Sequence, residues 1–386
     1  MTWQAGFVAA VALGRMAFGY QFQAVASLGP TLVGLFGMDY ASLGRLIGLY
    51  MAPGILVALP GGLLGRRYGE RAVVGAGLLL MAVGGVISGL ASGPAGIGVG
   101  RVVCGTGAVL LVVMQGKMAS DRYTGTRFLT VMGLLVGAFP VGVGLVGLTL
   151  APLEAVFGWP ALFMVGAMIA AASLMLFLPN SLPAPPLVSG AWALPSGREC
   201  VLVMVAGLIW TAYNAGYYGF LSYLPSVLAT RQHPASMTAL VLTVATWTNL
   251  PATVLGGVLA GRFGNTPVYL VGATVGVVAV AGPAFADWPL VWGVLFGTVA
   301  SIHAGVIIAI GTLSARPENR ASGMGLFYTT YYLGGTVLPI LCGRAADWMG
   351  DPAGALLAAA AMASLGLPLY ALHAVLARRA PWFRPA

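Results

Sequence analysis

The feature that most constrains this chain is a series of apolar segments that follow one another with only short polar interruptions. The hydrocarbon core of a bilayer is about 30 Å thick, and a helix needs roughly 20 apolar residues to cross it. Because backbone polar groups find no water inside a bilayer, each segment is predicted to be a helix rather than an isolated strand. The predicted spans are residues 5–34, 42–64, 72–92, 96–118, 127–150, 160–179, 200–228, 237–260, 267–286, 289–313, 322–344 and 353–377.

Charge is too scarce for a soluble protein of this length. Of the 386 residues, 59% are hydrophobic and 7% are charged, whereas soluble domains carry roughly a quarter charged residues. The predicted fold class is therefore an all-α polytopic membrane protein with twelve transmembrane helices and the lipid bilayer as its partner. The first apolar segment does not end in a small-residue cleavage site, so we do not expect a removable signal peptide.

Basic residues account for the net charge of +9, and they collect on one side of the predicted membrane. If the N-terminus is cytoplasmic, only Arg45, Arg231 and Arg344 remain on the outer side. The cytoplasmic loops and tail then hold thirteen basic residues: Arg66, Arg67, Arg71, Lys117, Arg122, Arg127, Arg198, Arg262, Arg316, Arg320, Arg378, Arg379 and Arg384. The positive-inside rule therefore predicts a multi-pass protein of the cell (inner) membrane with both termini cytoplasmic. The same bias explains the net charge without a nucleic-acid partner.

A duplication divides the chain. Residues 180–199 form the longest polar stretch, contain four prolines and lie at its centre. We predict an N-terminal six-helix bundle over residues 1–179, a cytoplasmic linker over 180–199 and a C-terminal six-helix bundle over 200–386. The loop G-L-L-G-R-R-Y-G-E-R at 62–71 recurs as G-V-L-A-G-R-F-G-N-T at 257–266, at an offset of 195 residues. Parallel six-helix repeats are an established transporter plan, with the substrate site near the midplane between the halves.

Four short motifs resemble those of the major facilitator superfamily. They are the loop at 62–71, R-V-V-C-G-T-G-A at 101–108, G-A-F-P-V-G-V-G at 137–144, and Phe-Gly-Trp at 157–159. The resemblance covers the whole chain. It implies two pseudo-symmetric six-helix bundles, alternating access between them, and a central cavity lined by helices such as 1, 4, 7, 8, 10 and 11.

The resemblance also implies a set of conformational or gating residues. These are Gly62, Arg66, Arg67, Gly69, Arg71, Asp121, Gly137, Pro140, Gly257, Arg262 and Gly264. The chain departs from the family in two places. The acid of the loop between helices 2 and 3 is replaced by Arg66, and by Gly261 in the second half, which leaves Asp121 or Glu70 as substitutes. The helix-5 motif lacks the glycine that precedes proline in proton-coupled exporters, so that association carries little weight.

Two arginines, Arg15 and Arg101, lie within predicted spans and away from the span ends. Arg15 is near the middle of the first span and Arg101 is nearer the outer end of the fourth. A charge at membrane depth is costly and indicates function, and two guanidiniums in a central cavity would bind an anion in bidentate fashion. All nine carboxylates fall in loops or at helix ends, so none is available to neutralise Arg15. A bound anion would relieve that cost. Two alternatives remain: neutral polar partners for Arg15, and a purely structural Arg101 that braces backbone carbonyls.

Coupling of transport to protons would depend on one further residue. His303, in the tenth span, is the sole embedded side chain that titrates near neutral pH, so it is the candidate for proton coupling as well as for substrate contact. A lone histidine on a helix is more often structural. Proton symport through His303, anion exchange and facilitated uniport all remain open, and sodium coupling is the least expected without a buried acid.

Polar and aromatic residues on the expected cavity helices complete the candidate substrate-binding set, together with Arg15, Arg101 and His303. They are Tyr20, Gln21, Gln23, Tyr213, Asn214, Tyr217, Trp247, Asn249, Tyr328, Tyr331 and Tyr332. Any single tyrosine among them has an alternative role as an interfacial anchor or as a contact between helices.

The sequence therefore predicts a secondary transporter that carries a small anion, either an organic carboxylate or an inorganic oxyanion, by alternating access. A proton-driven exporter of multidrug or other hydrophobic compounds is the first alternative, although the cavity acid that it needs is missing. A membrane sensor that does not transport is the second. No phosphate-binding loop or metal-ligand spacing is present, so we expect no enzyme, cofactor or metal. The expected form is a monomer.

Overall fold

The part of the chain that the structure describes folds into twelve helical segments, most of them separated by short turns. The computed structural model describes residues 5–181 and 195–378, with residues 380 and 382, and the predicted linker lies mostly outside them. The helices of the described residues are α1 (Ala5–Ser27 and Gly29–Phe36), α2 (Tyr40–Leu49 and Ala52–Tyr68), α3 (Glu70–Gly89), α4 (Pro94–Arg122), α5 (Gly125–Phe157), α6 (Pro160–Asn180), α7 (Gly197–Thr230), α8 (Ala235–Trp247 and Asn249–Phe263), α9 (Asn265–Phe285), α10 (Pro289–Gly297 and Ala304–Leu313), α11 (Arg320–Met349) and α12 (Ala353–Ser364 and Gly366–Ala377).

Ten of these segments are long and apolar enough to cross a membrane by length and composition. The two that fall short are α1 and α11. Helix α1 contains Arg15, Gln21 and Gln23, and α11 is rich in tyrosine and threonine. Polar residues at membrane depth are retained where they face other helices or a cavity. These two helices are therefore the first place to look for a functional site.

The helices group into two related bundles of six, α1–α6 and α7–α12. Gly69 joins α2 to α3 with φ +80°, and Gly264 joins α8 to α9 with φ +88°. Both glycines adopt a backbone conformation that side chains disfavour, and they stand at the offset of 195 residues predicted from the repeat. The all-α fold with twelve spans in two pseudo-symmetric bundles is thus confirmed.

Helix ends depart from the predicted bounds where caps and prolines act. Helix α7 begins at Gly197 because Ser196 and Glu199 form a reciprocal capping box. Helix α2 breaks at Tyr50 and Met51, just before Pro53, and α8 breaks at Thr248, just before Pro251. Proline lacks an N–H and fits the first turn of a new helical segment.

The two ends of the molecule are defined by helix direction. The basic face is the end at which α1, α3, α5, α7, α9 and α11 begin, and it carries residues such as Arg71, Arg127 and Arg262. The opposite face is the end at which the even-numbered helices begin. The bundles meet along two seams, α2 against α11 and α5 against α8. Hydrogen bonds across the seams include Thr243 to the carbonyl of Gly144 at 3.2 Å.

Candidate functional site

Arg15 of α1 is a buried guanidinium with little to hold it. It lies ten residues from the start of α1, about 15 Å along the helix axis, and it is 9% exposed. Its Nε donates one long hydrogen bond, 3.4 Å, to the carbonyl of Leu135 in α5. Among the described residues, no acceptor hydrogen-bonds to its two terminal nitrogens. Those nitrogens carry four of the five donors of an arginine.

Aromatic rings surround this guanidinium on the side of its own bundle. The Arg15 Cζ lies 5.2 Å from the ring centre of Phe18 and 5.5 Å from that of Phe139. The faces of such rings attract a cation. Helix α5 comes this close because α1 and α5 meet at glycines. An ideal Cβ on Gly19 would lie 2.1 Å from the Phe139 carbonyl oxygen, so only glycine fits.

Four tyrosines of the other bundle lie near Arg15. Tyr328, Tyr331 and Tyr332 of α11 and Tyr218 of α7 all lie within electrostatic range of the guanidinium. The three residues of α11 share a helix face through their i, i+3 and i+4 spacing. The hydroxyls of Tyr218 and Tyr331 are hydrogen-bonded to each other. The site therefore joins a cation from one bundle to hydroxyls from its neighbour.

The α2–α11 seam allows the tyrosines to reach this position. A Cβ on Gly54 of α2 would lie 2.3 Å from the ring of Tyr332, so the ring occupies the place of a side chain. The ring of Phe22 in α1 lies 4.7 Å from that of Tyr218. We call Arg15, Phe18, Phe139, Tyr218, Tyr328, Tyr331 and Tyr332 the arginine–tyrosine site.

No carboxylate among the described residues pairs with Arg15. The nine acids of the chain are all described, and those with charged partners use other bases. Glu70, 1% exposed, is paired with Lys117 and with Arg122 at the basic face. Glu199, also 1% exposed, accepts hydrogen bonds from Ser196, Asn319 and the amide of Arg316. The charge of Arg15 is thus left without an anion.

Arg101 of α4 has the contrasting environment. It is 2% exposed, and its guanidinium donates to the carbonyls of Gln21 and Phe22 in α1 and of Leu46 and Ile47 in α2. Its Cζ lies 4.4 Å from the ring centre of Tyr50. Every nitrogen of the guanidinium is engaged, so Arg101 braces three helices together and does not join the arginine–tyrosine site. This is the structural alternative recognised from the sequence.

The other polar candidates of α1 also serve contacts between helices. The hydroxyl of Tyr20 lies 2.8 Å from that of Thr149 in α5. Gln21 donates to the Met81 carbonyl of α3 at 2.8 Å, and Gln23 donates to the Leu221 carbonyl of α7 at 2.8 Å. The structure therefore does not bring Tyr20, Gln21 or Gln23 to the guanidinium of Arg15.

A second group of candidates lies inside the C-terminal bundle. Tyr213, Tyr217 and His303 line a cavity of 30 Å³ between α7, α9, α10 and α12, which has room for about one water molecule. His303 is 4% exposed, its ring is 5.1 Å from that of Tyr213, and its Nδ1 has no partner among the described residues. Asn249 donates to the Ser301 hydroxyl at 2.7 Å beside this cavity.

Two further candidates of the C-terminal bundle make contacts of other kinds. The Asn214 amide donates to the Trp210 carbonyl of its own helix at 2.8 Å. Trp247, which is 45% exposed, packs against Gly144 in the α5–α8 seam. Ring contacts connect the cavity of the C-terminal bundle to the arginine–tyrosine site, since the Tyr217 and Tyr218 rings are 5.8 Å apart.

The predicted gating residues lie mainly at the basic face. Arg67, Arg71 and Arg262 are exposed, and Asp121 pairs with Lys117 at 2.7 Å. Gly69 and Gly264 form the two helix–helix turns, whereas Gly257 faces open space. Gly137 packs against Leu250 of α8, one turn before the helix-interior Pro140. The side chain of Arg66 and the surroundings of Gly62 lie outside the described part of the chain.

Several members of the arginine–tyrosine site were not predicted as site residues. Phe18 is three residues after Arg15, so helical spacing alone places it on the same face. Phe139 lies within the glycine-rich motif of α5 but carries no polar signal of its own. Tyr218 is one of many tyrosines in α7, and only tertiary packing selects it. No cluster of metal ligands occurs among the described residues.

A sequence profile of the Major Facilitator Superfamily matches residues 11–339 and, in a second alignment, residues 209–383. The chain belongs to the Major Facilitator Superfamily. It is accordingly a membrane transporter with a small-molecule substrate. The second alignment begins in α7, as expected if the superfamily fold is built from two related halves.

Individual relatives are distant. The 3-(3-hydroxy-phenyl)propionate transporter of Escherichia coli (strain K12) is 24% identical over 349 residues, which cover 84% of this chain and 83% of that protein. An uncharacterized transporter of Buchnera aphidicola subsp. Baizongia pistaciae (strain Bp) is 28% identical over 142 residues, 36% of each chain.

Solved superfamily structures match over nearly the full length. The inward-open xylose transporter XylE from E. coli superposes with a TM-score of 0.74 at 18% identity, covering 95% of this chain and 96% of that one. The nucleoside transporter NupG gives 0.75 at 13% identity, with 96% and 99% covered. At these identities the likeness establishes the fold of this superfamily member and nothing about its substrate.

Proposed function

We propose that this transporter carries a small organic anion, with Arg15 as the group that binds its carboxylate. The observation that carries the proposal is the pair of unpartnered terminal nitrogens on the buried guanidinium. An uncompensated charge in a low-dielectric interior is expensive. A carboxylate is planar and accepts two parallel N–H donors from one arginine, so a bound substrate would offset that cost.

The aromatic lining favours an organic carboxylate over an inorganic oxyanion. Phe18 and Phe139 on one side and the tyrosines of α11 on the other offer ring faces and edges to a planar apolar group. The tyrosine hydroxyls can donate to the second carboxylate oxygen or to a hydroxyl of the substrate. The substrate for which one distant relative is named, 3-(3-hydroxy-phenyl)propionate, has this chemistry. An aromatic carboxylate is therefore the class that we would test first.

Alternating access would use both bundles at one site. Arg15 belongs to the N-terminal bundle, whereas Tyr218, Tyr328, Tyr331 and Tyr332 belong to the C-terminal bundle. A substrate held between them would link its own binding to the relative motion of the bundles. The site is complete within one chain, which is consistent with a functional monomer. We take residues 180–199 as the linker between the bundles.

Topology and coupling complete the proposal. The basic face is taken as cytoplasmic in the cell membrane because it carries the excess of arginine and lysine, which puts both termini on the inside. Anion exchange or uniport is preferred to proton symport. No acid pairs with Arg15 among the described residues, and His303 packs against Tyr213 and Tyr269 within the C-terminal bundle. The exporter alternative, which needs a cavity acid, gains no support.

Uptake into proteoliposomes tests the proposal. Labelled 3-phenylpropionate should enter through the wild type, with little uptake of labelled phosphate or of an uncharged aromatic amide. Arg15→Gln should reduce carboxylate uptake by about 100-fold, which is the scale of one lost charge-assisted bidentate contact. Arg45→Gln, which removes an arginine exposed at the opposite face, is the control and should transport normally. Undiminished uptake by Arg15→Gln would remove Arg15 from the site.

Tyr331→Phe provides the second arm of that experiment. This change removes a hydroxyl at the arginine–tyrosine site, and uptake should fall several-fold through weaker binding. Tyr20→Phe is the control, because it removes a buried hydroxyl that is hydrogen-bonded to Thr149 and not to the site. Uptake by this variant should stay at the wild-type level. Equal losses in the two variants would mean that the tyrosines act through packing.

A further inference from the structure

At the opposite face, the last turn of α11 meets the first turn of α2 across the boundary between the bundles. One carboxylate oxygen of Asp347 accepts a hydrogen bond from the backbone N–H of Tyr40 at 2.8 Å, and the other accepts from that of Ala41 at 2.9 Å. The next amide, that of Ser42, donates to Asp39 at 2.7 Å. Two carboxylates therefore satisfy the first three amides of α2, and one of them belongs to the other bundle.

The electrostatics of both helices explain why this contact is directional. The N-terminus of a helix presents unpaired N–H groups and a partial positive charge, so it attracts a carboxylate. The C-terminus carries the opposite partial charge and disfavours one. Asp347 stands in the last turn of α11, where it gains nothing from its own helix. The favourable partner of Asp347 is the start of α2, and that partner is present only while the bundles touch here.

The backbones approach closely enough for this contact because glycines line the seam. A Cβ on Gly343 of α11 would lie 2.1 Å from the Tyr40 carbonyl oxygen. A Cβ on Gly44 or Gly48 of α2 would lie 2.3 Å from the Pro339 carbonyl oxygen or 2.2 Å from that of Thr336. Real Cβ atoms do not come this near to a carbonyl oxygen, so each site accepts glycine alone.

The hydroxyl of Tyr223 in α7 adds a contact to the same junction. It lies 2.6 Å from the carbonyl oxygen of Pro339 in its own bundle and 3.4 Å from that of Tyr40 in the other. Tyr223 is fully buried. Its single proton is therefore shared between a bond that persists within the bundle and a weaker one that is lost on separation.

We propose that Asp347 is an inter-bundle latch that holds the opposite face of the transporter closed. The latch consists of Asp347, the amides of Tyr40 and Ala41, and the close approach allowed by Gly343. When this face opens, the carboxylate and the first amides of α2 separate and are hydrated. Asp347 thereby sets the balance between the closed and open states of this face. The inference does not depend on which substrate is carried.

A cysteine reporter tests the latch without any substrate. Ser226 of α7 is 2% exposed, lies near the opposite face and packs close to Gly29 of α1. With Cys104, Cys200 and Cys342 replaced by serine or alanine, Ser226→Cys should react slowly with a maleimide in nanodiscs, where both faces are accessible. Adding Asp347→Asn should speed labelling by about tenfold, the scale expected when a charge-assisted contact to a helix N-terminus is lost.

Asp351→Asn is the matched control. Asp351 lies at the same face, just after the end of α11, but it caps its own bundle by accepting from the amide of Ala353 at 2.8 Å. Its labelling rate should equal that of the parent. Gly343→Ala is a second variant that keeps the carboxylate and blocks the close approach, and it should also speed labelling. Each variant is first checked for a monodisperse elution profile.

Unchanged labelling in folded Asp347→Asn and Gly343→Ala would overturn the latch. Equal acceleration in Asp351→Asn would also overturn it, because a general loosening of this face would then explain the result. Transport of a carboxylate plays no part in these readouts. A failed latch and a failed assignment of Arg15 are therefore distinguishable.

Discussion

Arg15 and Arg101 are both buried arginines, and what separates them is the number of acceptors that each one finds. Arg101 donates to four carbonyls contributed by α1 and α2, and Arg15 donates to one. The sequence places both inside the membrane because a charge in an apolar run is visible at once. It cannot assign their roles, because the carbonyls that satisfy Arg101 are 54 to 80 residues away in the chain. The difference belongs to tertiary structure.

The same limit applies to the aromatic residues around Arg15. The triplet Tyr328, Tyr331 and Tyr332 is readable as one helix face and reaches the site. Tyr213 and Tyr217 form an equally clear face of α7, yet they line a cavity inside the C-terminal bundle. Helical spacing tells which residues point together. It does not tell which neighbour they point at.

The stability of the two arginine variants should show which arginine is structural. Arg101→Gln leaves several buried carbonyls without donors, and we expect it to lower the free energy of unfolding by about 3 kcal/mol. Arg15→Gln removes a buried charge that has few partners, so its thermal midpoint should equal or exceed that of the wild type. Thermal unfolding in detergent measures both, with Arg45→Gln as the exposed control. A large loss of stability in Arg15→Gln would mean that the guanidinium is structural, as Arg101 is.

Neighbouring helices of this protein pack through glycine–backbone contacts, and the number of glycines in the sequence does not show which of them make such contacts. The chain has 57 glycines, and small residues are expected wherever membrane helices pack closely. Only some of them touch a neighbour: Gly105 of α4 meets the Tyr50 carbonyl, whereas Gly116 of the same helix faces open space. Number and type of the spans were predictable from the apolar runs. The breaks within α2 and α8 come just before Pro53 and Pro251, because proline within an apolar run interrupts a helix.

These two glycines of α4 give a matched pair for mutation. Gly105→Ala places a methyl group where the Tyr50 carbonyl oxygen lies 2.0 Å away, and we expect it to cost about 2 kcal/mol of stability through overpacking. Gly116→Ala meets nothing and should instead stabilise the helix by about 0.5–1 kcal/mol. Thermal midpoints in one detergent compare them directly. Similar shifts in both variants would show that helix propensity rather than the α2–α4 contact decides their effect.

At the scale of the whole molecule, the N-terminal bundle contributes the Arg15 cation to the site and the C-terminal bundle contributes tyrosines. At the opposite face, Asp347 connects α11 of one bundle to α2 of the other. The repeat was visible in the sequence because both halves keep the same glycine turn, with Gly69 and Gly264 at +80° and +88°. The seams were not visible, because they depend on which surfaces of two similar bundles face each other. Asp347 reads as one of several acids in outer loops until α2 is placed beside it.

The proposed coupling mechanism rests on the missing acid beside Arg15 and can be measured as a property of the whole transporter. In the proposed cycle Arg15 would alternate between an unpaired and an anion-bound state, and among the described residues no acid pairs with it. Return of the empty site is therefore costly, and a second anion should carry it back. We expect unlabelled 3-phenylpropionate inside proteoliposomes to accelerate uptake of the labelled compound several-fold, with an imposed pH gradient having little effect.

His303→Gln is the discriminating variant for that experiment. Anion exchange predicts that trans-stimulation survives in it, because the residue packs against Tyr213 and Tyr269 in the C-terminal bundle and is not needed to bind the anion in that scheme. Proton symport through this histidine predicts the reverse: accumulation driven by the pH gradient in the wild type, its loss in His303→Gln, and no trans-stimulation. The two schemes predict different driving forces and opposite behaviour of His303→Gln. Uptake by wild-type and His303→Gln vesicles, measured with and without internal anion, therefore distinguishes them.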